Sequence, residues 1–258
     1  MDIDPRVLEE KAHAAVSEEK FQEAFKLFKN AAEIYSAQSK HKQAALCFAA
    51  AAGSWSRKCG ERPFYNGALA YEEAARQSEI SRDFEYASLL YKYAALNYER
   101  DGEFLNFSEC FYRSRNSYWK FLTYLFINPK KIHHIVRTDT KSDIRTKLKY
   151  FFAWVSYTFS YLVWGYGERP LRTFFSAIAV VFFAAIFYTQ IGLFREGAVF
   201  WPNFFEALYF SMVTFTTVGY GDITAAGLSK LAVIIEAFCG VFLMPIFIVA
   251  LSRKYLRV

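Results

Sequence analysis

The hydrophobic positions of this chain follow two different patterns. Between residues 20 and 120 they recur at helical spacing among polar residues, whereas residues 173–194 and 231–251 are long apolar runs. The first run has 22 residues without a charge, and the second has 21 residues of which only Glu236 is charged. At about 1.5 Å per residue, each run can cross a hydrocarbon core of about 30 Å. The pattern predicts a helical region followed by two membrane spans.

The helical region repeats itself. Aromatic residues spaced by 20, 23, 20 and 20 positions mark five units: Phe28, Phe48, Tyr71, Tyr91 and Phe111. Small residues stand three positions after each of them: Ala31, Ala51, Ala74, Ala94 and Ser114. In the first four units small residues also stand four positions before: Ala24, Ala44, Gly67 and Ala87. These offsets lie on one face of a helix, so the repeat predicts helices that stack closely as antiparallel pairs of a solenoid.

A local motif within this repeat points to a known domain type. The pattern Tyr-x-x-Ala-Ala-x-x-Tyr at residues 91–98 resembles the tetratricopeptide-like helical domain of soluble NSF attachment proteins. Two units of this chain span about 40 residues, more than the roughly 34 residues of a tetratricopeptide repeat. The resemblance implies a cytosolic solenoid that presents a concave surface to an unidentified protein or peptide.

Basic residues cluster on one side of the two predicted spans. Seven precede the first span: Lys130, Lys131, Arg137, Lys141, Arg145, Lys147 and Lys149. Three follow the second span: Arg253, Lys254 and Arg257. Between the spans stand only Arg195 and Lys230, so the positive-inside rule predicts that both chain termini are cytoplasmic. Since the net charge of +6 lies beside the membrane, it requires no nucleic-acid partner.

Residues 150–166 leave two placements open. This stretch is uncharged and contains Trp154 and Trp164. An interfacial helix suits these rings, which favour the headgroup level of a bilayer. A third span is the alternative, although it would carry either the basic stretch or the C-terminal tail to the opposite side. With an interfacial helix, Gly165 and Gly167 make the bend into the first span, and Pro170 begins it.

A short apolar segment lies between the spans. Asn203 and Glu206 form a capping-box signal ahead of residues 204–215, which predict a helix of about three turns. Such a helix is too short to cross the bilayer, so it is expected to enter and return. Glycine at 219 and 221 permits backbone angles closed to other residues, so successive carbonyls of this segment can point the same way. Non-helical backbone at membrane depth occurs where protein buries it or where it lines an aqueous path.

The segment carries a recognisable motif. Its residues match the signature of potassium channels: Thr216, Thr217, Val218, Gly219, Tyr220, Gly221 and Asp222. Residues 170–258 therefore resemble the two-span potassium-channel pore. The resemblance implies four chains around one axis and permeant K⁺ held by the carbonyls of residues 217–220 together with the Thr217 hydroxyl. It also implies that Asp222 lies at the outer mouth, while Thr216, Gly221 and Asp222 support the filter.

Three residues of the second span are candidates for gating or filter support. Gly240 resembles the family's gating hinge, and Pro245 can kink a helix by freeing a carbonyl. An acid within the bilayer is costly and is often functional, so Glu236 is expected to support the filter, with a packing role as the alternative. The chain departs from many relatives at Tyr209, Phe210 and Val213, which predicts fewer hydrogen bonds behind the filter.

Together these observations predict an all-α protein with three parts. Residues 1–127 form the cytosolic helical-repeat domain, residues 128–169 a basic linker with an interfacial amphipathic helix, and residues 170–258 the pore domain. The predicted function is passive, potassium-selective conduction through a homotetramer in the cell membrane, modulated by the solenoid. The alternative is a membrane-anchored helical-repeat adaptor that conducts nothing. The sequence shows no constellation of catalytic residues, no cofactor motif and no metal site beyond K⁺ in the filter.

Overall fold

The computed structural model describes residues 4–55, 62–127 and 144–255. Contacts divide the chain after Phe159 into two units. Among these described residues, the first unit contains six helices and most of a seventh: α1 (Pro5–Ser17), α2 (Phe21–Ala37), α3 (His41–Trp55), α4 (Pro63–Ile80), α5 (Phe84–Asp101), α6 (Phe104–Ile127) and α7 (Ile144–Val163). Each helix from α1 to α5 packs on the next along the chain. The domain boundaries expected at residues 127 and 169 stay predictions.

Burial in the first unit follows the repeat of the sequence. The five small residues three positions after the aromatic markers are all buried, and so are the four small residues before them. Tyr91 and Tyr98 are only 1% exposed and belong to a core shared by α2, α3, α4, α5 and α6. Because small side chains lie where helices meet, neighbouring backbones can approach while the rings fill the remaining space. The helical-repeat fold predicted for this region is confirmed.

The turns between these helices repeat as well. The residues Glu19, Ser39, Arg82 and Gly102 all adopt positive φ, between 57° and 85°. The amide after each of them donates to the carbonyl five residues earlier, at 2.8–2.9 Å. This is the Schellman arrangement that ends a helix through a left-handed residue. The left-handed residues are 20, 43 and 20 positions apart, and 43 is the sum of the 20- and 23-residue spacings of the sequence repeat.

Helix α7 packs on α6 through one of its faces. Phe121, Leu122 and Leu125 of α6 are buried against Tyr150, Ala153, Trp154 and Tyr157 of α7. The indole of Trp154 donates to the Thr123 hydroxyl at 3.1 Å, and the indole of Trp119 donates to the Thr158 hydroxyl at 2.9 Å. The first part of the aromatic segment 150–166 is thus a packed helix of the first unit.

The second unit contains two long helices with a shorter helix between them. A 3₁₀ turn (Gly165–Gly167) leads into α8 (Pro170–Ile191), followed by β1 (Leu193–Arg195), β2 (Ala198–Phe200), α9 (Phe204–Phe215), β3 (Thr224–Ala225) and α10 (Ser229–Tyr255). Within the described residues, α8 and α10 are the two helices long and apolar enough to cross a membrane. Positive φ at Gly165 and Gly167 and the start of α8 at Pro170 confirm the predicted bend.

Three short strands, which the sequence pattern does not predict, connect the second unit's elements. β1 lies between β2 and β3 and pairs with both in antiparallel register. Glu196 and Gly197 have positive φ and form the two-residue hairpin between β1 and β2. The pairing of Leu193 with Ala225 fixes the chain just after the 216–222 segment to the chain that leaves α8.

Candidate functional site

Helix α9 begins with the capping box that the sequence predicts. The Asn203 carboxamide oxygen accepts from the Glu206 amide at 2.9 Å, and the Glu206 carboxylate accepts from the Asn203 amide at 3.1 Å. Arg195 of β1 donates to the other Glu206 oxygen at 2.9 Å. The hydrogen bond from the Asn203 amide, and then that from Arg195, lower the pKa of Glu206. The cap thus contains a carboxylate that stays ionised below the usual pH range of a glutamate.

The backbone of the 216–222 segment alternates in sign of φ. Thr217, Gly219 and Gly221 have φ values of 58°, 59° and 81°, whereas Val218 and Tyr220 between them do not have positive φ. Thr217 is also the left-handed residue of the turn that follows α9, where the Val218 amide donates to the Val213 carbonyl at 3.0 Å in a Schellman-type bond. A threonine in this conformation is strained, and such strain is often found at functional sites. All residues from Thr217 to Asp222 are exposed in the single chain.

A hydrogen bond links α9 to the far end of this segment. The Tyr209 hydroxyl donates to the Asp222 carboxylate at 3.0 Å. Phe210 has no polar group to offer, and its ring packs edge-on against Tyr188 of α8 with 5.0 Å between ring centroids. Although the departures at 209 and 210 predicted fewer hydrogen bonds here, Tyr209 supplies one. Thr216 directs its hydroxyl back to the Met212 carbonyl of α9 at 2.8 Å.

Glu236 of α10 connects all three helices of the second unit. It is only 2% exposed, and its two carboxylate oxygens have different partners. Tyr188 of α8 donates its hydroxyl to one oxygen at 2.6 Å, and Ser211 of α9 is hydrogen-bonded to the other. The Ser211 oxygen also lies 2.9 Å from the Val181 carbonyl of α8. A buried carboxyl group is tolerated where hydrogen bonds satisfy it, and this one fastens the middle of α9 between α8 and α10.

Gly240 lies where α10 crosses the end of α9. A methyl group added at Gly240 would stand 1.9 Å from the Phe215 carbonyl oxygen and 2.9 Å from the carbonyl carbon. Because no side chain fits there, the two helices approach backbone to backbone immediately before Thr216. Pro245 lies inside α10, which continues as a helix through it. The structure thus gives Gly240 a packing role, and the hinge role of Gly240 and Pro245 stays a prediction.

The far end of α10 is joined to the turn before α8. Arg253 lies 3.6 Å from the Glu168 carboxylate, whose side chain is only 4% exposed. The carbonyls of Tyr161 and Val163, in the last turn of α7, accept from Arg172 at 2.8 Å and from Ser176 at 2.9 Å. These contacts join α10, the turn before α8 and the last turn of α7 to one another, at the end of the second unit far from the 216–222 segment.

The sequence points to the 216–222 segment and to Glu236, but not to Tyr188 and Ser211, the partners of Glu236. Each of these two is an ordinary residue of a helix, and its partner is distant along the chain. Among the described residues, no group of three or more His, Cys, Asp or Glu side chains is placed to hold a metal ion.

Comparison with known proteins places the second unit in a functional class. Residues 175–257 match the family model described as "Ion channel". No curated protein and no solved structure matches the chain. The matched stretch includes α9, the 216–222 segment and α10, together with nearly all of α8. The second unit is therefore similar to the domain of ion channels, which are transport proteins and not enzymes, and its two apolar helices suit a membrane location.

Proposed function

We propose that the protein is a potassium-selective channel in which residues 217–220 of four identical chains form the filter. The observation that carries this proposal is the alternation of φ at Thr217, Gly219 and Gly221, directly after a capped helix too short to span a bilayer. Alternating backbone conformations allow successive carbonyl groups to face one side of the chain. Rings of such carbonyls replace the hydration shell of K⁺ in potassium channels.

The surface of the single chain supports an assembly of several copies. Val218 is 53% exposed and Tyr220 is 70% exposed, although both follow an apolar helix within a channel-like unit. On α10, exposed apolar side chains include Ile235, Phe238 and Phe242. Neighbouring copies would cover these surfaces, and one chain alone supplies only one side of a filter. A homotetramer is the symmetric ring that the potassium-channel signature implies.

The helix ends contribute electrostatically to the proposed pore. The C-terminus of α9 lies at Phe215, one residue before Thr216. A helix C-terminus carries a partial negative charge, and four of them around an axis favour a cation at the inner entrance of the filter. The basic residues that flank α8 and α10 favour a cytoplasmic position for both chain termini, which we propose as the orientation of the channel.

The helical-repeat unit is assigned a modulatory role. A cavity of about 560 Å³ in the second unit is lined mainly by apolar side chains. Another of about 530 Å³, between α2, α3 and α4 of the first unit, has a mixed lining. The latter has Phe25, Phe48 and Leu69 beside Lys29 and Glu73. Such a mixture suits a protein or peptide ligand, which would modulate gating.

A matched pair of glycine variants tests the proposal. Gly219 and Gly227 have nearly equal φ values, 59° and 56°, and an added methyl group meets nothing within 4 Å at either position in the single chain. Both alanine variants therefore suffer similar backbone strain, but only Gly219 lies in the proposed filter. In liposomes, Gly219→Ala should abolish selective K⁺ uptake while Gly227→Ala retains it. Equal uptake by both variants, or no uptake by the unmodified protein, would favour the adaptor function.

A further inference from the structure

Helix α7 presents an apolar face that is largely exposed to solvent in the single chain. Its large apolar side chains are 41–61% exposed along one stripe: Leu148, Phe151, Phe152, Val155 and Phe159. We call this stripe the aromatic face. Spaced by three, one, three and four residues, these side chains fall within an arc of about 100° of the helix surface. An exposed patch of this kind marks an interaction site.

The opposite face of α7 is already occupied by α6. Arg115 of α6 donates to the Tyr157 hydroxyl at 2.7 Å, and the stacked rings of Phe126 and Trp154 lie 5.1 Å apart. A transmembrane placement of α7 would carry the Arg115 guanidinium into hydrocarbon, which is costly. The α6 contacts therefore argue against a third span and leave only the aromatic face available to lipid.

Charge and chain length identify what covers the aromatic face. Arg145, Lys147 and Lys149 are exposed at the start of α7, and residues 144–163 contain no acidic side chain. Six residues separate α7 from the apolar helix α8, and even fully extended they span at most about 22 Å. A face that combines aromatic rings with flanking cations, tethered this closely to a membrane span, suits the boundary between headgroups and acyl chains.

We propose that the aromatic face docks on an anionic lipid surface, with Lys147 and Lys149 contacting headgroups and Phe152 and Phe159 entering the acyl boundary. In this arrangement α7 binds the bilayer surface, and α6 packs on the opposite face of α7. This inference requires that the second unit resides in a membrane, but it does not depend on which ion passes.

Site-directed spin labelling of the full chain tests the proposal. Labels replace Phe152 and Phe159, and controls replace Leu46 and Leu105, which are 60% and 70% exposed on α3 and α6. Cys59 is changed to Ser and Cys239 to Ala. Cys47 and Cys110 stay because both are buried, and burial raises the pKa of the Cys47 thiol to about 12, which keeps it unreactive. The protein is reconstituted in phosphatidylcholine vesicles containing phosphatidylglycerol.

The readout is the ratio of collisions with oxygen, which partitions into lipid, to collisions with a water-soluble nickel chelate. We expect this ratio to be about threefold higher at residues 152 and 159 than at the controls. In a Lys147→Gln/Lys149→Gln variant, the ratio at residue 152 should fall by about half. This experiment does not measure conduction. A result that contradicts lipid docking is therefore distinct from a result that contradicts the proposed channel activity.

Four results would overturn the proposal. Ratios at residues 152 and 159 equal to those of the controls would place the face in water. Spin–spin broadening that disappears on dilution with unlabelled chains, without oxygen access, would show that a second copy covers the face. A ratio at residue 152 as high as that of the bilayer centre would establish a third span. An unchanged ratio in the lysine variant would show that the face does not dock on an anionic lipid surface through Lys147 and Lys149.

Discussion

Arg253, near the end of α10, forms an ion pair with Glu168, which is buried in the turn before α8. The two residues are 85 positions apart in the sequence (253 − 168). Along the chain, a movement that arrives through the turn at Glu168 reaches α8 first. The ion pair adds a direct connection from that turn to the end of α10.

The Glu168–Arg253 pair should influence both stability and gating. In Arg253→Gln, the buried carboxylate loses a cationic partner, and the unit should lose about 1 kcal/mol, a value reduced by the 45% exposure of Arg253. Open probability should change as well. Lys254→Gln, which removes an adjacent charge, is the control. Thermal unfolding and single-channel recording provide the measurements, and equal behaviour of the two variants would contradict a specific role for Arg253.

A methyl group at Gly240 should disturb the proposed filter. Because the added carbon would stand 1.9 Å from the Phe215 carbonyl, α10 or the end of α9 must move in Gly240→Ala. Overpacking of this kind typically costs about 1–3 kcal/mol. We expect lower thermal stability of the assembly and reduced K⁺ conductance. Val241→Ala changes the neighbouring, exposed position and should leave both nearly unchanged. Normal conductance in Gly240→Ala would show that the contact does not support the filter.

The hydrogen bonds of Glu236 can be tested by two substitutions of similar size. A glutamine accepts from Tyr188 through its carbonyl and donates to Ser211 through its amide, so Glu236→Gln should retain stability within about 1 kcal/mol. Glu236→Leu leaves both buried hydroxyls without this partner and should cost about 2–3 kcal/mol. Unfolding of the purified assembly measures both. If the leucine variant is as stable as the glutamine variant, Glu236 acts through packing alone.

Much of the second unit could be predicted because its signals are local. The apolar length of α8 and α10 and the capping box at Asn203 and Glu206 each lie within a few helical turns of sequence. The contacts of Glu236 could not be predicted, since Tyr188 and Ser211 lie 48 and 25 residues away along the chain. The three strands were missed for a related reason, because segments of two or three residues carry too little alternation to be recognised.

The first unit was predictable to a greater depth because it repeats. A periodic pattern specifies which positions touch, so the spacing of the aromatic and small residues fixed the buried face of successive helices. The pattern did not specify the turns, where Glu19, Ser39 and Arg82 adopt a conformation that glycine prefers. Nor did it show that α7 packs on α6, since residues 128–143 separate the two helices.

These turns allow a prediction on stability. Ser39 and Arg82 have φ values of 57° and 61°, whereas Gly102 already occupies the equivalent position of its turn. Ser39→Gly and Arg82→Gly should each stabilise the first unit by up to about 1 kcal/mol, because glycine adopts positive φ without strain. Gly102→Ala should destabilise it by a similar amount. Denaturant unfolding measures the changes, and destabilisation by both glycine substitutions would contradict the left-handed turns.

The potassium-selective filter proposed at residues 217–220 is best tested by the reversal potential of the purified full-length protein in a planar bilayer. With K⁺ on one side and Na⁺ at equal concentration on the other, we expect a reversal potential displaced far from zero, in the direction set by K⁺. Gly227→Ala should retain this displacement, while Gly219→Ala should abolish the selective current. A reversal potential near zero under these ionic conditions, with current through the unmodified protein, would show that residues 217–220 do not select K⁺.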